Sequence, residues 1–155
     1  MLNTGSRAPD FSLPNENGET ITLASLIAEG PLILYFYPAD FTPGCTKEAC
    51  SIRDIHGELV AAGLRVVGVS PQDGETHVRF RDQYDLPFSL LSDERKEAIK
   101  AYDADGPFGV GVRRITYLID ADGMIADAIQ ADILVGRHTD FIRNAISIQQ
   151  KSGQD

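Results

Sequence analysis

Cysteine is scarce in this chain: Cys45 and Cys50 are the only two among 155 residues. Two thiols cannot staple a loop-rich scaffold, and a chain of this length can build a hydrophobic core without staples. Basic residues are also few, fourteen against twenty-three acidic ones, for a net charge of −9. That balance excludes general nucleic-acid binding and attachment to anionic membranes, both of which need a basic footprint. Long apolar runs are missing too. Stretches such as Pro31–Tyr37 fall far short of the roughly 20 residues that a spanning helix needs. The opening Met1-Leu2-Asn3-Thr4, followed by Gly5 and Arg7, has no basic stretch ahead of an apolar one. No signal peptide is expected, and the expected location is the cytoplasm. In that reducing compartment a cysteine pair serves catalysis or metal binding more readily than permanent cross-linking. The remaining composition is that of an ordinary globular protein, expected as a single domain over residues 1–155.

Read in order, Met1–Pro9 is an entry segment. Phe11–Leu13 and Glu19–Leu23 flank Asn15-Glu16-Asn17-Gly18, whose Asn-Gly end predicts a small hairpin. Leu23–Glu29 predicts one or two helical turns, stopped by Gly30-Pro31. Leu32–Tyr37 is continuously apolar and bounded by proline on both sides, which suits a strand covered on both faces. A helix over Pro43–Ala61, ended by Gly63, leads to a second apolar strand, Leu64–Val69. Together these predict a right-handed strand–helix–strand unit. Ser70–Asp73 opens a helix to Tyr84; Phe88–Leu91 is a short strand; Ser92-Asp93 caps a helix to Tyr102. Asp103–Gly111 holds three glycines and a proline and predicts a loop. Arg113–Ile119 and Met124–Ile129 form a hairpin around Asp120–Gly123, and Arg137–Gln150 a terminal helix, with Lys151–Asp155 a polar tail. The expected architecture is α/β: a central mixed sheet flanked by helices with an N-terminal β-hairpin extension, an arrangement that resembles a thioredoxin fold.

The chemistry concentrates where Leu32–Tyr37 feeds the helix that holds both cysteines. Thr42 suits the N-cap, and Pro43 suits the first helical position, where its missing N–H would be unpaired anyway. Cys45 then falls at the third helical residue, where free N–H groups and the helix dipole favour a thiolate; a nearby arginine would favour it further. Residues 45, 52 and 59 are seven apart and lie nearly on one line of the helix. Ile52, Ile55 and Leu59 make that line apolar, so Cys45 faces inward. Cys50 lies about 140° round the cylinder, among Thr46, Lys47, Arg53 and Asp54, on a wetter face. On an unbroken helix the two Cα atoms stand about 8.6 Å apart, whereas a disulfide tolerates at most about 7 Å. Either the thiols never pair, or pairing requires local unwinding. A buried, inert cysteine remains open as a plain alternative. So does a metal site, although Cys-x4-Cys supplies two ligands and His56 is the sole nearby addition.

The segment Pro38-Ala39-Asp40-Phe41-Thr42-Pro43-Gly44-Cys45 carries the P-x-x-x-T-x-x-C signature and resembles the peroxiredoxins. The fuller Thr42–Cys50 stretch, TPGCTKEAC, resembles the Q-type, or bacterioferritin-comigratory, subfamily. Arg53-Asp54, Gly68-Val69-Ser70, Phe88–Asp93 and Arg114–Asp120 extend the match, which runs from about Gly5 to Ile148. The resemblance implies a thiol peroxidase that reduces hydrogen peroxide and organic hydroperoxides with no metal or other cofactor. By position it implies Cys45 as the peroxidatic and Cys50 as the resolving cysteine. It further implies Thr42 bonding the peroxide oxygen and placing the thiolate, Pro38 shielding the pocket, and Arg114 pairing with the thiolate and polarising the O–O bond. The implied cycle passes through a Cys45 sulfenic acid and a Cys45–Cys50 disulfide reopened by a thioredoxin-like dithiol. Each residue also has a plain role: Thr42 an N-cap, Pro38 a strand end, Arg114 a surface ion pair. Arg113 competes with Arg114, since neighbours in a strand point to opposite faces, and periodicity leaves the choice open; the resemblance favours Arg114. Asp103–Val112 is shorter and richer in glycine than the family pattern.

Two rival classes remain on these residues. A disulfide oxidoreductase on the same fold would carry Cys-x-x-Cys, and the tryptophan expected beside it is absent, since the chain has none. A non-enzymatic thiol-containing binding domain is the other. The histidines His56, His77 and His138 are scattered and read as surface residues. The expected partners are a hydroperoxide and a thioredoxin-like reductant, with no nucleic acid or membrane, and the expected state is a monomer.

Overall fold

The computed structural model describes residues 1–152. β1 (Ser12–Pro14) and β2 (Thr20–Thr22) form the expected hairpin, and Thr22 caps the short α1 (Leu23–Ile27) through reciprocal bonds with Ser25. The chain continues through β3 (Leu32–Phe36), α2 (Pro43–Ala61), β4 (Arg65–Ser70), α3 (Gly74–Tyr84) and β5 (Ser89–Ser92). It ends with α4 (Glu97–Ala101), β6 (Ile115–Ile119), β7 (Ile125–Gln130) and α5 (Gly136–Ser152). The five longer strands make one mixed sheet in the order β5-β4-β3-β6-β7. β3, β4 and β5 run parallel, while β6 pairs antiparallel with both β3 and β7.

β3 lies in the middle with every residue buried, and its alternation divides the core in two. Leu32, Leu34 and Phe36 point to one face, against Leu13 of the hairpin, Leu23 and Leu26 of α1, and Ala98 and Ile99 of α4. Ile33, Tyr35 and Tyr37 point to the other, against α2, α3 and α5. Ile52 and Leu59 of α2 are wholly buried there, and each contributes about 2 kcal/mol by leaving water. The inward stripe of α2 is thus the line that seven-residue spacing predicts, with Cys45 at its N-terminal end.

Three boundaries differ from the sequence expectation. Asp93 does cap the fourth helix, but across a turn: its carboxylate accepts the N–H groups of Glu97 and Ile99 at 3.0 and 2.7 Å. Lys96 sits between at a left-handed φ of 58°, so the helix begins at Glu97 rather than beside Asp93. Arg113 and Arg114 precede β6 instead of opening it, because the Arg114 N–H donates to Asp132 Oδ1 at 2.8 Å rather than to a neighbouring strand. Lys151 of the expected tail continues α5, and residues 153–155 lie outside the described residues. Among the described residues no helix is long and apolar enough to cross a membrane.

Gly68 in β4 is fixed by a close approach. A Cβ there would stand 2.7 Å from the ring of Tyr35, itself buried with no room to retreat. Gly68→Ala is expected to cost about 1–3 kcal/mol of stability. Urea unfolding checks this, and an unchanged midpoint would refute the close-packed Tyr35 ring.

Candidate active site

Pro38 leaves β3 half-buried, and Asp40 behind it is buried and tied on several sides. Its carboxylate accepts the Tyr37 hydroxyl at 2.6 Å and meets His77 Nδ1 at 2.5 Å, while its N–H donates to Gln72 Oε1. Phe41 follows at φ 67°, a left-handed conformation that is costly for a bulky side chain. Its ring lies against Phe80 and Tyr84 of α3. Thr42 then occupies the N-cap position and Pro43 the first turn. The expected capping bond is not made. The Thr42 hydroxyl instead donates back to the Ala39 carbonyl at 2.9 Å, because the turn through Phe41 brings that carbonyl within reach and aims the side chain away from the helix.

Cys45, two residues behind Pro43, is 1% exposed. It belongs to the set of N-terminal helix residues whose N–H groups have no carbonyl one turn back to bond; the first such bond is Thr46 N–H to Thr42 C=O. Cys50 is half-buried, and both thiols are free. Of the two arginines, Arg114 is the one brought to this turn. A Cβ on Gly44 would lie 2.8 Å from Arg114 Nη2, so the glycine is what lets the guanidinium reach the backbone beside Cys45. Arg113 turns away, its Nε donating to the Asp105 carbonyl at 3.0 Å.

Glu48 is the residue that sequence reasoning missed. It lies three places after Cys45, on the same inward face of α2, and Arg114 Nη1 donates to its Oε1 at 3.3 Å. Burial pushes its carboxyl up to about 8, against the downward pull of Arg114. Its second oxygen, Oε2, has no hydrogen-bond partner; His138 Nδ1 stands 3.6 Å from it. His138 in turn bonds Thr116 Oγ1 at 2.8 Å and donates from Nε2 to the Ala131 carbonyl at 2.9 Å.

The histidines correct an expectation. His77 and His138 are wholly buried rather than on the surface, and His56 is half-buried. The signal was helical spacing: His77 stands three and seven residues before Phe80 and Tyr84, and His138 four and seven before Ile142 and Ala145. Each sits on its helix's apolar stripe with both ring nitrogens occupied. Glu48 carried the same signal, lying between Cys45 and Ile52 on one face. A cavity of about 410 Å³ lies elsewhere: it opens by the C-terminal half of α2, lined by His56, Val60, Leu64 and Phe88 among others, and contains neither cysteine. Its size does not make it the reaction site, because it lacks the thiol, the arginine and the helix N-terminus.

A buried thiol at a helix start, beside a glycine covered by an arginine that a buried carboxyl holds, suits two-electron thiol chemistry. Residues 4–128 match the AhpC/TSA family, and the chain belongs to it. A Coxiella burnetii protein that carries a peroxiredoxin name, bcp, is 41% identical over 88% of this chain and 93% of its own. Peroxiredoxin Q of Arabidopsis thaliana chloroplasts is 42% identical over 80% of this chain and 57% of its own. Among solved structures, the peroxidoxin BcpB of Mycobacterium tuberculosis superposes with a TM-score of 0.89 at 32% identity, over 96% of this chain and 98% of its own. The bacterioferritin comigratory protein of Xanthomonas campestris, described for alkyl peroxide reduction, gives 0.85 at 28% identity over 94% and 98%. The fold is thioredoxin-like, and the activity is that of a thiol-dependent peroxidase, an oxidoreductase of the peroxiredoxin Q type. Peroxide is the substrate class and a thioredoxin-type dithiol the reductant class that the family implies.

The Glu48 carboxyl has a measurable consequence. Its proton is held up to about 8 in the folded protein, against 4.5 for an ordinary glutamate carboxyl. The folded state therefore binds more protons than the unfolded one between those values, and stability falls as pH rises through that window. One such group gives a slope of about 1.4 kcal/mol per pH unit. Glu48→Gln should flatten this slope between pH 5 and 8 in thermal or urea unfolding; an unaltered slope would refute the buried neutral carboxyl.

Proposed function

We propose that Cys45 is the peroxidatic and Cys50 the resolving cysteine, that hydrogen peroxide and alkyl hydroperoxides are the substrates, and that a thioredoxin-like dithiol restores the enzyme. The observation that carries this reading is Arg114 lying on the Gly44 backbone at the turn that holds the buried Cys45. In the first step the Cys45 thiolate attacks the terminal peroxide oxygen. An S–O bond forms, the O–O bond breaks, and the leaving alkoxide or hydroxide takes a proton. Arg114 and the free N–H groups of the first turn hold the charge on sulfur and then on the departing oxygen. Thr42 lines the approach through its hydroxyl and Pro38 limits access of water.

The second step joins Cys45 to Cys50. The Cys50 thiolate attacks the sulfenic sulfur, an S–S bond forms, the S–O bond breaks, and the departing hydroxide takes a proton from solvent to leave as water. Both cysteines lie within the continuous α2, where ideal geometry keeps their Cα atoms about 8.6 Å apart, so α2 must unwind at its start. Two features support an easily opened start: Thr42 contributes no capping bond, and the helix follows the left-handed Phe41. The external dithiol then reopens the disulfide by exchange. A cysteine pair without a permanent cross-link suits a reducing, cytoplasmic setting, and a cycle that joins Cys45 to Cys50 of the same chain needs no second copy, as a monomer would have it.

Cys45→Ser is expected to abolish peroxide consumption, and Arg114→Ala to slow Cys45 oxidation about a hundredfold or more, both followed by stopped-flow mixing with peroxide. Mass analysis after one equivalent of peroxide should show a loss of two hydrogens mapped to a Cys45–Cys50 link. A persistent sulfenic acid, or a disulfide-linked dimer, would overturn the role of Cys50.

A further inference from the structure

The segment between β3 and α2 is held at unequal strength on the two sides of Phe41. Before it, Asp40 is buried and bonded to Tyr37, Gln72 and His77. After it, Thr42 makes no capping bond, and the first turn of α2 closes where the Thr46 N–H reaches the Thr42 carbonyl at 2.9 Å. Phe41 joins the two with a backbone φ of 67°. For a residue with a side chain, that left-handed conformation weights the formed turn down by about five- to thirtyfold. The backbone at residue 41 thus pulls toward release.

The ring pulls the other way. Its centroid lies 5.2 Å from that of Phe80, at an interplanar angle of 71°, and 6.4 Å from that of Tyr84. The first is the edge-to-face arrangement that aromatic pairs prefer, which favours contact by about two- to tenfold beyond the area it covers. The seat itself is firm. Phe80 is wholly buried and packs edge-on against Tyr84 at 5.4 Å, and the Tyr84 carbonyl accepts Arg53 Nη1 at 2.8 Å. α3 is thereby tied to α2 three residues beyond Cys50, away from the first turn. Phe41 itself is 41% exposed, so it is seated on α3 from one side and can lift away without opening the core.

We propose that Phe41 is a positioning residue for the peroxidase cycle: its ring, seated on Phe80 and Tyr84, latches a strained turn that keeps the start of α2 formed, and lifting of the ring sets how often Cys45 is freed to reach Cys50. This rests on the reading above that the two cysteines join by unwinding the start of α2. With the ring seated, Cys45 stays at the end of the helix's apolar line, beside the glycine that Arg114 covers, where peroxide is attacked. With the ring lifted, residue 41 relaxes to an extended φ, and the released strain offsets the loss of the bond between Thr46 and Thr42. Asp40 stays in place, so the opening spreads toward the cysteine and not into β3. The ring and the Cβ of one residue act in opposite senses, and they can be removed separately.

The test compares the wild type with Phe41→Ala, which removes the ring and keeps the strained Cβ, and with Phe41→Gly, which removes both. Two quantities are followed in the full chain. One is hydrogen exchange at the Thr46 amide of the reduced protein. The other is the rate at which the Cys45 sulfenic acid becomes the Cys45–Cys50 disulfide, read by rapid quenching and intact mass as a gain of one oxygen giving way to a loss of two hydrogens. In Phe41→Ala, Thr46 protection is expected to fall and disulfide formation to quicken by the same factor, about two- to tenfold. A merely structural residue would not speed a step of the cycle when truncated. Phe41→Gly is expected to bring both quantities back toward the wild type, by about threefold relative to Phe41→Ala, because glycine takes a left-handed φ without strain but also gains freedom when released. Thr46 protection or a disulfide rate that stays in place in Phe41→Ala overturns the latch, and equal values in the alanine and glycine variants overturn the strained turn. The exchange measurement needs no oxidised cysteine and so keeps the two readings apart. Absence of a Cys45–Cys50 disulfide in the wild type sinks the pairing and the role of Phe41 with it, whereas a normal disulfide beside wild-type Thr46 exchange in Phe41→Ala sinks the role of Phe41 alone.

Discussion

The close approach of the Arg114 guanidinium to the backbone of Gly44 is the contact that the rest of the site accommodates. It places a permanent cation in a region with almost no water, and an isolated buried charge is costly. Glu48 supplies the polar partner from the same helix. Only its Oε1 takes part; Oε2 is buried without a hydrogen-bond partner. The backbone of Arg114 is pinned from the opposite side by the Asp132 carboxylate and the Ala131 N–H. The connection between β7 and α5, remote in sequence from both cysteines, thereby becomes part of the machinery that holds the cation in place.

α2 combines two duties that usually conflict. Its inward face supplies Ile52, Ile55 and Leu59 to the core between β3 and α5, and the same face ends at the reacting sulfur. The core part is anchored by complete burial, whereas the first turn rests on an uncapped end after a left-handed residue. Stability is therefore graded along one helix: rigid where it covers the sheet, weakly held where the chemistry needs rearrangement.

Much of this was legible in the sequence, because the decisive patterns are local. The all-apolar β3, the proline-led helix and the seven-residue line through Cys45, Ile52 and Leu59 each follow from backbone periodicity, and the family signature lies within a single loop-and-helix segment. What escaped was polar and long-range. Two histidines read as surface groups by their polarity, which hides their position on apolar helical faces. Glu48 is masked in the same way, although it lies one turn from the thiol. Thr42 reads as a cap by its type, but the turn through Phe41 redirects its hydroxyl to Ala39, which no spacing rule expresses. Nor could alternation choose between Arg113 and Arg114, since neither belongs to the strand; an aspartate eighteen residues away and a glycine on another element decide which guanidinium reaches the backbone beside Cys45.

The buried tie between Asp40 and His77 bears on how often this molecule can repeat its cycle. Asp40 stands five residues before Cys45, and it is held by Tyr37 just past the end of β3, by α3 through His77, and through its backbone by Gln72. A segment that opens and recloses returns to the same geometry only if one end of it is clamped. Asp40 marks the fixed end, so disorder spreading backward from the cysteine stops at a post driven into two other elements. Fidelity over many turnovers is then a property of α3 and of the end of β3, elements that carry neither cysteine.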